Sequence, residues 1–110
     1  MNINALIIST LTPLGIPVSF QTYTGTETTY ITFFKYLEDV ESYANNKETS
    51  LVYYIQVDVW SKGNYSVLVE SVLEALKQAG FTRNYVTETY ENDTKLFHKI
   101  IRVQKFKEVL

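Results

Sequence analysis

Hydrophobic and polar positions along the chain change rhythm several times, and each change marks an element. Ile3, Leu6, Ile7 and Leu11 recur at helical spacing behind Asn2, a residue suited to cap a helix. Pro13 ends that helix, because the residue before a proline is pushed out of helical geometry. After the turn "PLGIP", "VSFQTY" (Val18 to Tyr23) reads as a short strand and "TGTE" as a turn centred on Gly25. "TYITFFKYL" (Thr29 to Leu37) is β-branched and aromatic, and reads as a second strand. "LVYYIQVDVW" (Leu51 to Trp60) alternates cleanly. Ile55, Val57 and Val59 face one way; Gln56, Asp58 and Trp60 face the other.

The rhythm then turns helical across "WSKGNY". Tyr65, Leu68, Val69, Val72, Leu73 and Leu76 form one apolar stripe, while Glu70, Glu74, Lys77 and Gln78 lie on the wet face. Asn64 is the expected cap, Gly63 the expected turn residue, and Gly80 the left-handed stop with Phe81 folding back over the last turn. "WSKGN" is therefore the corner between a strand and a helix. Two more strands follow, Arg83 to Glu91 and Lys95 to Phe106, around the turn "NDT". The order α-β-β-β-α-β-β predicts an α+β fold, an antiparallel sheet with two helices packed on one face, in a single domain over residues 1–110.

One stretch breaks the pattern. "EDVESYANNKETS" (Glu38 to Ser50) is polar and holds neither glycine nor proline. It reads as a long, mobile loop available to a partner, with Glu38, Asp39, Glu41, Tyr43, Lys47 and Glu48 as its contact residues.

Composition removes several kinds of chemistry. The chain of 110 residues contains no cysteine, so it has no disulfide framework, thiolate nucleophile or thiolate zinc site. A net charge of -2 gives no general attraction to nucleic acid or to an anionic membrane. "INALIISTL" is apolar but too short to span a bilayer, and it lacks the flanks of a signal peptide, which fits a soluble protein kept inside a cell. The glycines stand alone at element boundaries, so no phosphate cradle is formed. Glu38, Asp39 and Glu41 lack the spacing of a calcium loop. No cofactor or metal is expected.

Catalytic residues are equally hard to assemble. The single histidine, His98, sits in mid-strand and reads as a sheet-face or interface residue. Asp58 with Glu88 or Glu91 could form a two-carboxylate site, but strand carboxylates are more often solvated or paired with lysine and arginine on neighbouring strands. The basic strand "KIIRVQKFK" carries Lys99, Arg102, Lys105 and Lys107, yet alternation scatters them over both faces and no specific nucleic-acid site results. Nine tyrosines and six phenylalanines fit either strand propensity or an aromatic assembly surface.

Three fragments, "TYITFFKYLEDVESYANNKE", "YYIQVDVWSKGNYSVLVESVLEALKQAGF" and "YENDTKLFHKIIRV", taken in that order resemble small tail proteins of long-tailed bacteriophages and prophages. The type is the tail-completion or tail-terminator protein of the head–tail junction. The resemblance runs from about Thr29 to Val103; none of its marks is catalytic. It implies a structural subunit, not an enzyme, that closes into a ring, expected to be a hexamer. The ring would end tail-tube assembly and join tail to head, with the tail-tube protein and a head-completion or connector protein as partners. It also implies synthesis in a host bacterial cytoplasm and a final place in the virion. Another minor tail or connector component, a small nucleic-acid-binding domain, and a small-molecule-binding domain or enzyme are the alternatives. In a ring, Gln56, Asp58 and Trp60 on one edge are expected to meet Lys99, Arg102 and Lys105 on another. Trp60 reads either as part of that interface or as a cap on the core at its strand end.

Overall fold

The computed structural model describes residues 2–108. Its elements are α1 (Ile3–Leu11), β1 (Val18–Phe20), β2 (Tyr30–Ala44), β3 (Lys47–Ser61), α2 (Ser66–Gln78), β4 (Thr82–Glu91) and β5 (Leu96–Glu108), with a single 3-10 turn over Thr12–Leu14. The strands form one five-stranded sheet in the order β1-β2-β3-β5-β4. Both helices lie on the same face. The fold is α+β.

Local signals set the helix ends. The side chain of Asn2 accepts a hydrogen bond from the Ala5 amide at 2.8 Å, capping α1. At the start of α2 the expected Asn64 cap is displaced: the cap position is Tyr65, with no side-chain cap bond. Asn64, one residue earlier, forms an Asx turn, accepting from the Ser66 amide at 3.0 Å and from the Ser66 hydroxyl at 2.8 Å. At its end, the Gly80 amide donates to the Lys77 carbonyl and the Phe81 amide to the Leu76 carbonyl, both at 3.0 Å. That pair of bonds requires a left-handed residue between them, and Gly80 supplies it with φ of 93°. Phe81 is buried beneath the last turn. Gly63, by contrast, has no positive φ and adjoins open space. The corner there is held by the Asn64 turn, not by a glycine.

The core lies between the helices and one sheet face. Ile7 and Leu11 of α1 and Val69, Val72 and Leu76 of α2 meet Ile31, Phe33, Ile55, Val57, Val59, Ile101 and Val103. Full burial of each such side chain is worth about 1.5–3 kcal/mol relative to exposure. Leu68 and Leu73 flank this cluster and remain partly exposed, so the buried stripe is centred on Val72.

Two expectations need correction. The sheet is mixed, because β1 pairs in parallel with β2, Val18 opposite Ile31 and Phe20 opposite Phe33. Residues 21–29 do not close a hairpin; they carry the chain back to the start of β1. The Tyr23 ring fills this crossover, stacking on Tyr30 with centroids 4.2 Å apart and accepting the Glu27 amide at its hydroxyl.

The segment from Glu38 to Ser50 is not a loop. β2 and β3 run on through it as a β-ribbon, with Ala44 opposite Lys47. Asn45 and Asn46 make the turn, with φ of 54° and 64°. Two successive left-handed residues are what a two-residue hairpin turn of the right twist demands, and asparagine tolerates that geometry better than other residues with a Cβ. Register shifts at Lys35/Leu37, Val40/Ser42 and Ser42/Tyr43 bend the ribbon. β5 stays paired with β3 as far as Ser50, so only the tip beyond it is two-stranded, and the molecule is 52 Å long against a cross-section of 26 × 24 Å. No helix among the described residues is long and apolar enough to cross a membrane.

Candidate functional site

The sheet face opposite the helices carries the unusual chemistry. His98 on β5 stands opposite Trp60 on β3, and Asp58 lies two residues along β3 on the same face. The imidazole bridges two carboxylates, Nε2 to Asp58 Oδ1 at 2.6 Å and Nδ1 to Glu91 Oε1 at 3.0 Å. Asp58 Oδ1 also accepts from Gln56 Nε2 at 2.9 Å, and Gln56 Oε1 accepts from Arg102 Nε at 3.2 Å. Trp60 Nε1 donates to Thr32 Oγ1 at 3.0 Å, tying β3 to β2. Thr32, Asp58 and His98 are all buried although no helix covers them. Among the described residues, no buried side-chain nitrogen or oxygen lacks a partner. A fully satisfied polar network of this kind holds register instead of weakening the sheet.

Burial works against a charge on His98, but the hydrogen bonds and charges of Asp58 and Glu91 outweigh it and raise the imidazole pKa above its ordinary value. In the protonated form both ring nitrogens donate to carboxylates. Neither nitrogen is then free to accept a proton from a substrate, so the geometry suits a latch between β3, β5 and the end of β4. Glu91 and Asp58 accordingly do not make the two-carboxylate pair that sequence allowed: the imidazole stands between them. Their partner is also histidine, where lysine or arginine was expected. Glu88 points the other way. It accepts from the Tyr65 hydroxyl at 2.7 Å and lies 3.8 Å from Lys99. Burial first, and then the bond to Glu88, push the Tyr65 pKa upward.

Of the six expected interface residues, Gln56, Asp58, Trp60 and Arg102 share the open face, and Gln56 links Asp58 to Arg102. Lys99 and Lys105 lie on the helix-bearing face, Lys105 with its ammonium 5.7 Å from the Phe81 ring centroid. The expectation that the acidic and basic groups occupy two edges does not hold. β3 and β5 are adjacent interior strands, with Gln56 directly opposite Arg102, and the edges are β1 and β4. The six expected loop residues all lie on the ribbon. Glu38 pairs with Lys35 at 2.5 Å, Tyr43 stands opposite Glu48, and Tyr43 is 65% exposed.

A third cluster went unanticipated. The Arg102 guanidinium lies 5.0 Å from the centroid of Tyr36 and 5.9 Å from that of Tyr85. Tyr36 also touches Phe34 and Tyr54. Tyr36 is the extra residue of the first register shift, which brings it beside Arg102. No short motif announces a bulge, so only the long aromatic content of β2 hinted at such a cluster.

This architecture is shared with a chain in "Virion of native gene transfer agent (GTA) particle". The match has a TM-score of 0.60 at 13% identity and covers 94% of this chain and 85% of that chain. At that identity the likeness establishes the fold. No protein-family model matches the sequence, and no curated protein matches it either.

Proposed function

We propose that this chain is a structural protein of a virion, a tail-completion subunit that forms a ring, six-fold on the pattern of the resembling family, at the head-proximal end of a phage-type tail. The observation that carries the reading is the fold match, along 94% of the chain, to a chain of a gene transfer agent virion. The resemblance of "QVDVWSKGNY" and "YENDTKLFHK" to tail-completion proteins points the same way independently of the fold. Physical features support it. A subunit of a closed ring uses two different surfaces, and this one offers an aromatic sheet face and a projecting ribbon. The chemistry of the buried network holds strands in place and needs no substrate. The ring would end the tail tube and present a docking surface to the head-completion or connector protein.

The test combines two measurements. Light scattering on the purified protein, followed by negative-stain imaging, should reveal rings. Removal of the gene from a phage or prophage that encodes it should give heads without attached tails, and tails of irregular length. Tails of normal length joined to heads in its absence would reject the terminator role. Loss of a different part of the particle would assign the chain to another tail or connector component.

A further inference from the structure

Arg102 is exposed, yet its side chain is fixed on three sides. Its Nε donates to Gln56 Oε1, and the guanidinium plane is flanked by Tyr36 and Tyr85. Among the described residues no carboxylate forms an ion pair with it. Around it lies a shallow depression of about 440 Å³ lined by Tyr36, Asn84, Tyr85, Thr87, Ile100 and Arg102. An arginine held this way has already lost much of its rotamer freedom, and its two terminal nitrogens remain for a planar, two-oxygen acceptor. The flanking rings stabilise the cation without neutralising it. Such an arginine matches the geometry of a carboxylate.

The ribbon supplies a matching surface. Asp39, Glu41 and Glu48 are exposed there, and among the described residues none of them pairs with a cation. β5 stays paired with β3 as far as Ser50, so the two-stranded tip from Ser50 to Lys47 projects by roughly 10 Å at the usual rise of about 3.4 Å per residue. Its exposed tip can therefore enter a shallow depression on another molecule. It cannot reach the depression of its own chain, because the hydrogen-bonded ladder leads from Tyr36 away toward the turn.

We infer that the Arg102 depression receives the tip carboxylates, Glu41 or Glu48, of the β-ribbon of a second copy of this chain. The contact is head to tail, ribbon of one copy on sheet face of the next, and so it can propagate around a ring. It rests on the reading of the chain as a self-assembling subunit and names the surfaces that would meet.

The absence of cysteine from the natural sequence makes the test direct. One variant carries Asn84→Cys at the rim of the depression, and a second carries Ala44→Cys at the ribbon tip. When mixed under mild oxidation they should form the mixed disulfide in preference to either self-disulfide. Adding Arg102→Glu to the first variant should cut that yield about tenfold, as should high salt, because the contact is a charge pair near the surface. Glu41→Lys with Glu48→Lys on the ribbon variant should restore yield against Arg102→Glu. If Arg102→Glu does not fold by circular dichroism, Arg102→Gln carries the same expectation. Rings seen by light scattering without the mixed disulfide would overturn this contact and leave the ring reading standing. A monomer that gives no mixed disulfide at high concentration would also overturn it. In that case incorporation of the natural chain into particles still decides the ring reading separately.

Discussion

The imidazole of His98 lies flat on the indole of Trp60, with ring centroids 3.7 Å apart and planes 12° from parallel. These are the only histidine and the only tryptophan in the chain, so each reports on the other. A cation above an indole face is stabilised by the ring, which adds to the attraction of Asp58 and Glu91 for the protonated form.

Stability should therefore fall on the alkaline side of the histidine titration. The pKa of His98 is raised in the folded state from an ordinary 6.5. Its contribution to stability is then fully present below about 6.5 and is lost as pH rises through the higher folded value. Denaturant midpoints of the natural chain should drop relative to His98→Gln across that window. Trp60 fluorescence should titrate in step, and Glu91→Gln should move the titration to lower pH. A constant difference between the two proteins, with no change in fluorescence, would mean that the bridge carries no charge.

Leucine truncation in α2 should depend strongly on position. Leu76 is fully buried and Leu73 only partly. Leu76→Ala should cost about 2–5 kcal/mol, the usual range for a core leucine. Leu73→Ala should cost distinctly less, since part of its surface is already in water. Equal losses in chemical denaturation would place Leu73 deeper than its exposure indicates.

Gly80→Ala should destabilise by about 1 kcal/mol, because an added Cβ opposes the left-handed conformation that stops α2. The nearest obstacle, Lys105 Nζ at 2.8 Å, is a flexible tip that can move away. Gly63→Ala is the control and should be neutral. Thermal unfolding of the two variants side by side separates conformational strain from crowding.

The ribbon turn is open to a similar comparison. Asn46→Gly should preserve or strengthen the turn, and Asn46→Val should weaken it by about 1–3 kcal/mol, the cost of forcing a β-branched residue into left-handed geometry. Amide exchange is the measurement. Cross-strand amides between Val40 and Leu51 should be protected in the natural chain and should exchange faster with Asn46→Val, with the body unchanged. Fast exchange in the natural chain would restore the picture of a loop.

What the sequence disclosed depended on how far each signal reaches. The Ile55–Val57–Val59 alternation, the α2 stripe and the Gly80 stop are local and lie where the pattern places them, while Asn64 falls one residue ahead of the cap position, Tyr65. Within that stripe only Val69, Val72 and Leu76 are buried on the helix, because helical spacing cannot say which flank faces the sheet. The Asn45–Asn46 turn is local too, but it carries neither glycine nor proline; two asparagines in succession punctuate a chain as well. Longer-range relations were not legible. Asp58 and His98 are 40 residues apart on strands separated by a helix, and nothing local sets the register of β3 against β5. The same lack of register information let Gln56 and Arg102 be assigned to opposite edges when they are direct neighbours. The parallel pairing of β1 had no local sign, since a short turn signal near Gly25 serves a crossover as readily as a hairpin.

The bends in the ribbon bear on a hazard that every projecting strand carries. Beyond Phe33 the outer side of β2 has no strand beside it among the described residues, so its amides and carbonyls are open to any extended chain that passes. A straight edge of that length would act as a seed for fibrils, above all where many copies are crowded together. The three register shifts interrupt it within ten residues, and Glu38, Asp39 and Glu41 add like charges along it. A foreign strand could follow the edge for only a few residues before losing step. The ribbon can thus project from the body and still resist zippering to the wrong neighbour.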